Sequence, residues 1–463
     1  MTASLAEPDY VGDLGNGLVC RWSTAADQPK IAQCMGKIYR NTPEEAYHPR
    51  AMDIARVLMA GDFPYMGPDD FALVEDTTVP GSPVVAYTCL WRLRWRYGDI
   101  PFGVGQPEMV ATDAAYRNRG LVRALFAMVH ARSEAEGHLV QAITGIPYFY
   151  RQFGYEFVLD LEGNCIVPVA AIPVKEGDAA EPFHLRLAVL DDVPQLMALY
   201  DRSRGESLVW NDVPESFWRH HIAAWDDPFV QNDPLRTILH GRLYMVVTND
   251  GAPAGYVRAA AKHWDEKFQV WGLHLDAPVN WQIAAPWLLR ALHALAAQIP
   301  ATEDNAKPLA AIELMLGRSH PLYTILEQTL PLRIVPPYAW YLRVPDVRGF
   351  LRHIAPVLEA RLANSIVAGY TGELKIDLYR DGMRLLFEQG KLAGVEPWRA
   401  PAYGDGADAG CPPLLFLQLL FCYRSLAELR AFFPDVWVND GTAPLLDALF
   451  PKLPSNVYSL NNA

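Results

Sequence analysis

The run from residue 108 to residue 126, EMVATDAAYRNRGLVRALF, has the residue types and spacing of an anion-binding turn. A strand pattern leads directly into Arg117, Arg119 and Gly120, and an amphipathic helix pattern follows. The first backbone amides of a helix have no intrahelical acceptor, and the helix dipole adds partial positive charge there. Gly120 lets an anion approach the main chain, and the two guanidinium groups add charge-assisted contacts. The segment therefore predicts a diphosphate site.

This turn matches neither of two common phosphate-binding patterns. The sequence has no G-x-x-x-x-G-K-[ST] run, and the turn is not G-x-G-x-x-G. An R-x-x-G turn is common by itself, so a surface loop with two arginines and a capping glycine is the alternative interpretation. The place between a strand and a helix, together with a tyrosine-rich segment at residues 148–155, favours a binding site.

Alternating strand and helix patterns surround the turn. Apolar alternation predicts strands over residues 18–22, 71–75, 84–96, 108–112 and 139–143. Apolar spacing of three and four residues predicts helices over residues 27–39 and 120–136. A later region predicts a helix over residues 347–363, strands over 373–379 and 383–388, and an apolar helix over 414–420 that is more typical of a core than of a lipid tunnel.

Two short patterns recur along the chain in the same order. Arg21, Asp27 and Pro29 recur 165 residues later as Arg186, Asp192 and Pro194. The run LVRAL at 121–125 recurs 167 residues after Arg123 as LLRAL around Arg290. These matches predict a duplicated domain. The second copy lacks the arginine and glycine before its helix, so we expect it to be catalytically silent.

Length and composition limit the class of protein. The length of 463 residues predicts three domains. A formal charge of −13 argues against a nucleic-acid partner. The scattered cysteines predict no metal site, and adjacent His220 and His221 are expected on the surface. The amino terminus lacks a secretory pattern, and no run of 18 apolar residues occurs, so we expect a cytoplasmic protein with no membrane partner.

The two motifs resemble those of the GNAT acetyltransferase superfamily, and more closely its Eis-like (enhanced intracellular survival) multidomain branch. The pyrophosphate signature [QR]-x-x-G-x-[GA] is matched from Arg117 to Gly120, with Val122 at the last position. The branch's R-x-R-G-L-[LV] loop is matched by residues 117–122, and its Y-x-x-F-G-Y segment by residues 150–155.

The resemblance implies an α/β (α+β) architecture in three parts. Residues 1–165 would form a catalytic GNAT domain and residues 166–345 a degenerate GNAT-like domain, both with a mixed, mostly antiparallel sheet flanked by helices. Residues 346–463 would form an α+β domain similar to sterol carrier protein type two. A homo-oligomer, a hexamer by family resemblance, is also implied.

The resemblance further implies an enzyme that transfers an acetyl group from acetyl-CoA to a primary amine by direct attack on the thioester. The acceptor would be a small polyamine-like or aminoglycoside-like cation or a lysine side chain. Tyr150 corresponds to the proton donor, and a phenol is a reasonable acid toward a thiolate. The terminal carboxylate of Ala463 corresponds to the proton acceptor, and a water-relayed or already deprotonated amine is the alternative. The residues implied in cofactor binding are Val110, Ala111, Thr112, Arg117, Asn118, Arg119, Gly120, Leu121, Val122, Arg123, Gly145 and Ile146.

Two other functions fit the same sequence. One is an acyl-CoA-sensing scaffold that keeps the cofactor pocket without an acceptor site. The other is a lipid-binding protein whose function lies in the carboxy-terminal region.

Overall fold

The computed structural model describes residues 4–175, 177–178, 180–232, 241–276, 279–299, 307–400 and 406–457. The elements up to residue 168 are β1 (Val11–Gly15), β2 (Leu18–Trp22), α1 (Gln28–Ile38), α2 (Pro49–Leu58), β3 (Phe71–Asp76), β4 (Val84–Tyr97), β5 (Ile100–Thr112), α3 (Leu121–Ala135), β6 (Val140–Ile143), β7 (Glu156–Leu161) and β8 (Asn164–Pro168).

The next stretch has a similar order of elements, with β10, α6 and α8 added. It contains β9 (Phe183–Leu187), α4 (Val193–Ser203), β10 (Val209–Asn211), α5 (Glu215–Ala223), α6 (Pro228–Asn232), β11 (Gly241–Thr248), β12 (Pro253–Ala260), β13 (Lys267–Leu275), α7 (Trp281–Ala296), β14 (Ala311–Leu314), α8 (Pro321–Thr329), β15 (Arg333–Val335) and β16 (Tyr338–Arg343).

The last stretch forms a smaller α+β unit. It contains α9 (Val347–His353), α10 (Ala355–Ala363), β17 (Gly372–Asp377), β18 (Gly382–Glu388), β19 (Lys391–Pro397), β20 (Ala409–Gly410), α11 (Pro413–Leu420), α12 (Leu426–Phe432), β21 (Trp437–Val438) and α13 (Ala443–Leu449). None of the helices in the described ranges is both long enough and apolar enough to span a bilayer.

The strands form three sheets, which confirms the mixed and mostly antiparallel class predicted from the sequence. The first sheet has the order β1-β2-β3-β4-β5-β6-β16-β7, and β10 pairs with the far end of β4. The second has the order β15-β8-β14-β13-β12-β11-β9, and the third has the order β19-β18-β17-β20-β21. Each sheet has one parallel pair among the described strands, namely β5 with β6, β13 with β14, and β17 with β20.

The first two sheets exchange one strand each. β16 leaves its neighbours in sequence and pairs antiparallel with both β6 and β7 in the first sheet. β8 in turn inserts between β14 and β15 of the second sheet. Each of the first two sheets therefore contains a strand from the other part of the chain. The boundaries between the predicted domains stay a prediction.

The duplicated motif has the same contacts in both copies. Arg21 makes a bidentate ion pair with Asp27 at 2.7 and 2.8 Å, and Arg186 makes one with Asp192 at 2.7 Å for both bonds. In each copy the aspartate also accepts from a backbone N–H three residues earlier, at 2.8 Å. This arrangement joins β2 to the start of α1 and β9 to the start of α4.

One apolar core runs through all three stretches of the chain. Its buried members include Ile31 of α1, Leu199 of α4 and Leu385 of β18. The apolar face of α11 is buried in it, as the prediction of a core helix requires, with Phe416 and Leu420 at most 1% exposed.

Two predictions from the sequence were wrong in detail. The helix expected over residues 347–363 is divided into α9 and α10, because Pro356 has no N–H to donate to the carbonyl four residues earlier. His221 is buried rather than exposed, at 4%, and its Nδ1 lies 3.0 Å from the Phe217 carbonyl.

Candidate active site

The candidate site begins where β5 and β6 separate. The two strands pair in parallel only at Val104 with Val140 and at Gly105 with Gln141. Beyond these pairs β5 continues along β4 to Thr112, while β6 continues along β16. Among the described strands, none pairs with residues 106–112 of β5 on the side of β6, and a cleft opens between the two strands. Val110, Ala111 and Thr112, three predicted cofactor residues, lie on this edge and are half-buried.

The predicted anion-binding turn closes one end of this cleft. Asn118 and Gly120 both have left-handed backbones, with φ of 62° and 75°. This conformation turns the chain into α3 and leaves the backbone N–H groups of residues 118–123 without an acceptor among the described residues. A Cβ on Gly120 would have no atom within 4 Å, so the space outside the turn is open. Six successive donors at a helix start form a cradle for an anion.

The side chains of the turn divide into a packed set and an exposed set. Leu121 is buried in the core under α3, and Val122 packs against the aromatic cluster of Phe126 and Tyr150. The Arg119 guanidinium lies over the Tyr116 ring at 5.0 Å and donates to the Ala115 carbonyl. Four side chains of the turn face solvent, and all four are predicted to contact the cofactor: Arg117, Asn118, Arg119 and Arg123.

The tyrosine-rich segment lies next to the start of α3. Tyr150 is 4% exposed, and its ring stacks with Phe126 at 5.9 Å. Its hydroxyl makes no hydrogen bond to a described residue, and a Cβ on Gly145 would lie 3.6 Å from it. Burial, and then the nearby Glu108 carboxylate, raise the pKa of Tyr150 well above the usual value, so the phenol stays protonated at neutral pH.

Phe153 and Tyr155 of this segment pack in the aromatic cluster. Phe153 stacks on Phe126 at 4.6 Å, and the Tyr155 hydroxyl lies 2.8 Å from Nε2 of His130. Burial lowers the pKa of His130 to about 3, so this histidine is neutral. Gly145 and Ile146 form the exposed mouth of the cleft, with 60% of Ile146 exposed.

Glu108 is a candidate functional residue that the sequence reasoning missed. It lies at a bulge in β5, where the register with β4 shifts between Tyr87 and Cys89 and Met109 has a φ of 54°. Its carboxylate accepts from Gln106 Nε2 at 2.5 Å. Burial raises the pKa of Glu108 above the usual value, which brings the group closer to neutral pH. A charged residue inside an apolar strand was its only signal in the sequence.

The predicted site residues thus come together, with one exception. Residues 110–112, the turn at 117–123, Gly145, Ile146 and Tyr150 all border the cleft between β5 and β6. The exception is Ala463, which lies outside the described residues. The free amides and the exposed guanidinium groups fit a diphosphate, and the unpaired edge of β5 fits an amide-containing arm, so the cleft suits a coenzyme A thioester.

The described residues at the corresponding helix start of the second sheet do not repeat this row of free amides. At the start of α7 the Asn280 side chain accepts from the Gln282 N–H at 2.9 Å, and the Asn280 carbonyl accepts from the next two N–H groups. This helix start is therefore capped by the protein itself, which favours a silent second copy.

Comparison with known proteins agrees with this geometry. Residues 21–158 match the family model described as an acetyltransferase (GNAT) domain. No curated protein sequence matches the chain significantly. The chain thus carries a GNAT acetyltransferase domain, and the protein is an N-acetyltransferase.

Solved structures share the fold over nearly the whole chain. A GCN5-related N-acetyltransferase from Kribbella flavida is similar with 18% identity and a TM-score of 0.59, covering 95% of this chain and 97% of that one. A GCN5-related N-acetyltransferase from Anabaena variabilis has 14% identity and a TM-score of 0.62, covering 96% and 99%. Eis1 from Mycobacterium abscessus has 16% identity and a TM-score of 0.56, covering 95% and 99%.

Proposed function

We propose that the protein transfers an acetyl group from acetyl-CoA to a primary amine, within the three domains predicted above. The observation that carries the proposal is the row of unpaired N–H groups at residues 118–123, at one end of a cleft whose wall contains Tyr150. The amides of residues 118–123, with Arg117, Arg119 and Arg123, would hold the diphosphate. The free edge at Val110, Ala111 and Thr112 would hold the pantetheine arm, with Gly145 and Ile146 opposite it. Acetyl-CoA supplies an activated thioester when it is bound.

Tyr150 is proposed to give a proton to the departing thiolate. A phenol that stays protonated at neutral pH, without a protein partner for its hydroxyl, is suited to this role. Val122 and Phe126 pack around its ring and restrict it. The hydroxyl lies beside Gly145, at the mouth of the same cleft.

Glu108 is proposed to hold the acceptor's ammonium group and to accept its proton. Glu108 is half-buried next to aromatic side chains, among them Tyr39, whose pKa its charge helps to raise. A carboxylate in such surroundings favours a cationic acceptor, which is either a small polyamine-like or aminoglycoside-like amine or a lysine side chain. The terminal carboxylate of Ala463 stays a predicted alternative base. A homo-oligomeric state and a cytoplasmic location are proposed from the family resemblance.

The test measures free thiol release by the full chain with acetyl-CoA and a panel of polyamines, aminoglycosides and lysine peptides. We expect turnover with an amine, and we expect a large fall in its rate in Tyr150→Phe and Gly120→Asp. Tyr155→Phe is the matched control for the first variant, because it removes a hydroxyl from the same aromatic cluster. Gly137→Asp is the control for the second, since Gly137 follows the other end of α3 with a φ of 80° and no atom near its Cβ position.

Two results would contradict the proposal. Thermal stabilisation by coenzyme A without turnover on any amine would favour the acyl-CoA-sensing scaffold instead. Indifference to coenzyme A together with binding of a fatty ligand would favour the lipid-binding function.

A further inference from the structure

The exchanged strand β16 brings two tyrosines from the second half of the chain to the loop that carries the proposed acid. Tyr341 is fully buried, and its hydroxyl accepts a hydrogen bond from the Tyr148 N–H at 2.5 Å. Tyr338 donates from its hydroxyl to the Gly145 carbonyl at 2.6 Å. One strand therefore holds both ends of the loop at residues 145–148.

The loop adopts a conformation that needs such support. Gly145 has a φ of 119°, and Tyr148 has a φ of 69°, which is uncommon for a residue with a side chain. Tyr148 directly precedes the short helical turn Phe149–Phe153 that contains Tyr150. The bond from the Tyr148 N–H to the Tyr341 hydroxyl fixes the place where this turn begins.

Tyr341 also contacts the ring of the proposed acid. Its own ring stacks on Phe157 of β7 at 3.7 Å and meets the Tyr150 ring edge-on at 5.5 Å. The stack with Phe157 holds the Tyr341 ring against β7. The position of the Tyr341 hydroxyl is therefore set by β7 and by the exchanged strand β16 together.

We propose that Tyr341 is a positioning residue, through which the second, silent half of the chain sets the place of Tyr150 in the active site. This inference rests on the proposed function, since it gives Tyr341 an effect only through the acid. The loss of the hydroxyl leaves the Tyr148 N–H without its acceptor and frees the turn to relax.

The test is Tyr341→Phe, which keeps the ring and removes the hydroxyl. We expect kcat for amine acetylation to fall about tenfold, which corresponds to about 1.4 kcal/mol. Tyr323→Phe is the matched control. The Tyr323 hydroxyl is also buried and accepts from the Leu316 N–H at 3.0 Å. Tyr323 belongs to α8, in an apolar cluster separate from the one around Tyr150. Both variants should lower the melting temperature, and only Tyr341→Phe should lower kcat.

The double variant Tyr150→Phe/Tyr341→Phe separates positioning from general damage. If Tyr341 acts through Tyr150, the double variant is no slower than Tyr150→Phe alone. The inference is overturned if Tyr341→Phe keeps the full kcat, if Tyr323→Phe loses as much, or if the two losses multiply in the double variant. Absence of thiol release from the unmodified protein would instead count against the proposed function.

Discussion

Glu162 lies at the crossing from the first sheet into the second, in the turn between β7 and β8. Burial, and then the negative charge of Glu313, raise the pKa of Glu162 from 4.5 to about 7. Glu313 is itself 5% exposed and is held by Asn164, Lys267 and Gln269, all at 3.0 Å, so it does not move away. The charged form of Glu162 therefore destabilises the folded protein.

The sign and size of the effect follow from the two pKa values. Below about pH 4.5 Glu162 is protonated in both the folded and the unfolded state and has no effect. As the pH rises to 7, the unfolded state loses this proton first, so the free energy of unfolding falls. The full penalty above pH 7 is about 3 kcal/mol, at about 1.4 kcal/mol for each pKa unit.

Glu162→Gln removes this penalty and should stabilise the protein only at higher pH. For a chain of this length that unfolds as one unit, about 3 kcal/mol corresponds to about 3 °C in the melting temperature. Differential scanning calorimetry at pH 5 and pH 8 measures the gap between the variant and the unmodified protein. The exposed Glu206→Gln is the control and should show no gap at either pH. A gap that is the same at both values, or larger at pH 5, would refute the reasoning.

Three further predictions concern the site and the repeated motif. Glu108→Gln should lower kcat about 100-fold and abolish the rise of the rate between acidic and neutral pH, while calorimetry shows unchanged affinity for coenzyme A. If the variant keeps this rise of the rate with pH, another group is the base. Asp27→Asn should destabilise the protein by about 2 kcal/mol in urea unfolding at neutral pH. Burial alone would raise the pKa of Asp27, but Arg21 and the hydrogen bonds from Thr24 outweigh it and lower the pKa from 3.8 to about 2; this contribution is lost as the pH falls through that value. Asp192→Asn should cost less, since its partner Arg186 is 43% exposed and Arg21 only 21%; equal losses would show that exposure does not set the difference.

Periodicity predicted the elements well where the pattern was regular. The strand at β2 and the helix α3 were predicted within one residue of their observed ends. β5 begins at Ile100, but the sequence predicted this strand only from Glu108 onward. The first half was missed because Gly103 and Gly105 resemble a loop signal. The structure needs both glycines, since a Cβ would lie 2.9 Å from the His138 ring and 2.1 Å from Ser133 Oγ.

The cleft was predicted in part from local motifs. The turn at residues 117–123 and Tyr150 lie on contiguous patterns, so their types and spacing were sufficient. Glu108 depends on a bulge, and Tyr341 on pairing between β16 and β6, almost 200 residues apart in sequence. Neither pairing register nor a bulge follows from spacing along one strand, so neither residue could be predicted.

The exchange of β8 and β16 has a consequence for biosynthesis. When the ribosome has completed β6 and β7, the strand that belongs between them has not been translated, and at about 5–20 residues per second it follows roughly 10–40 s later. During that interval the nascent catalytic sheet exposes two unpaired strand edges, which are prone to aggregation. The chain is thus expected to depend on chaperones until residue 343 has left the exit tunnel, although the motifs for cofactor binding are already complete.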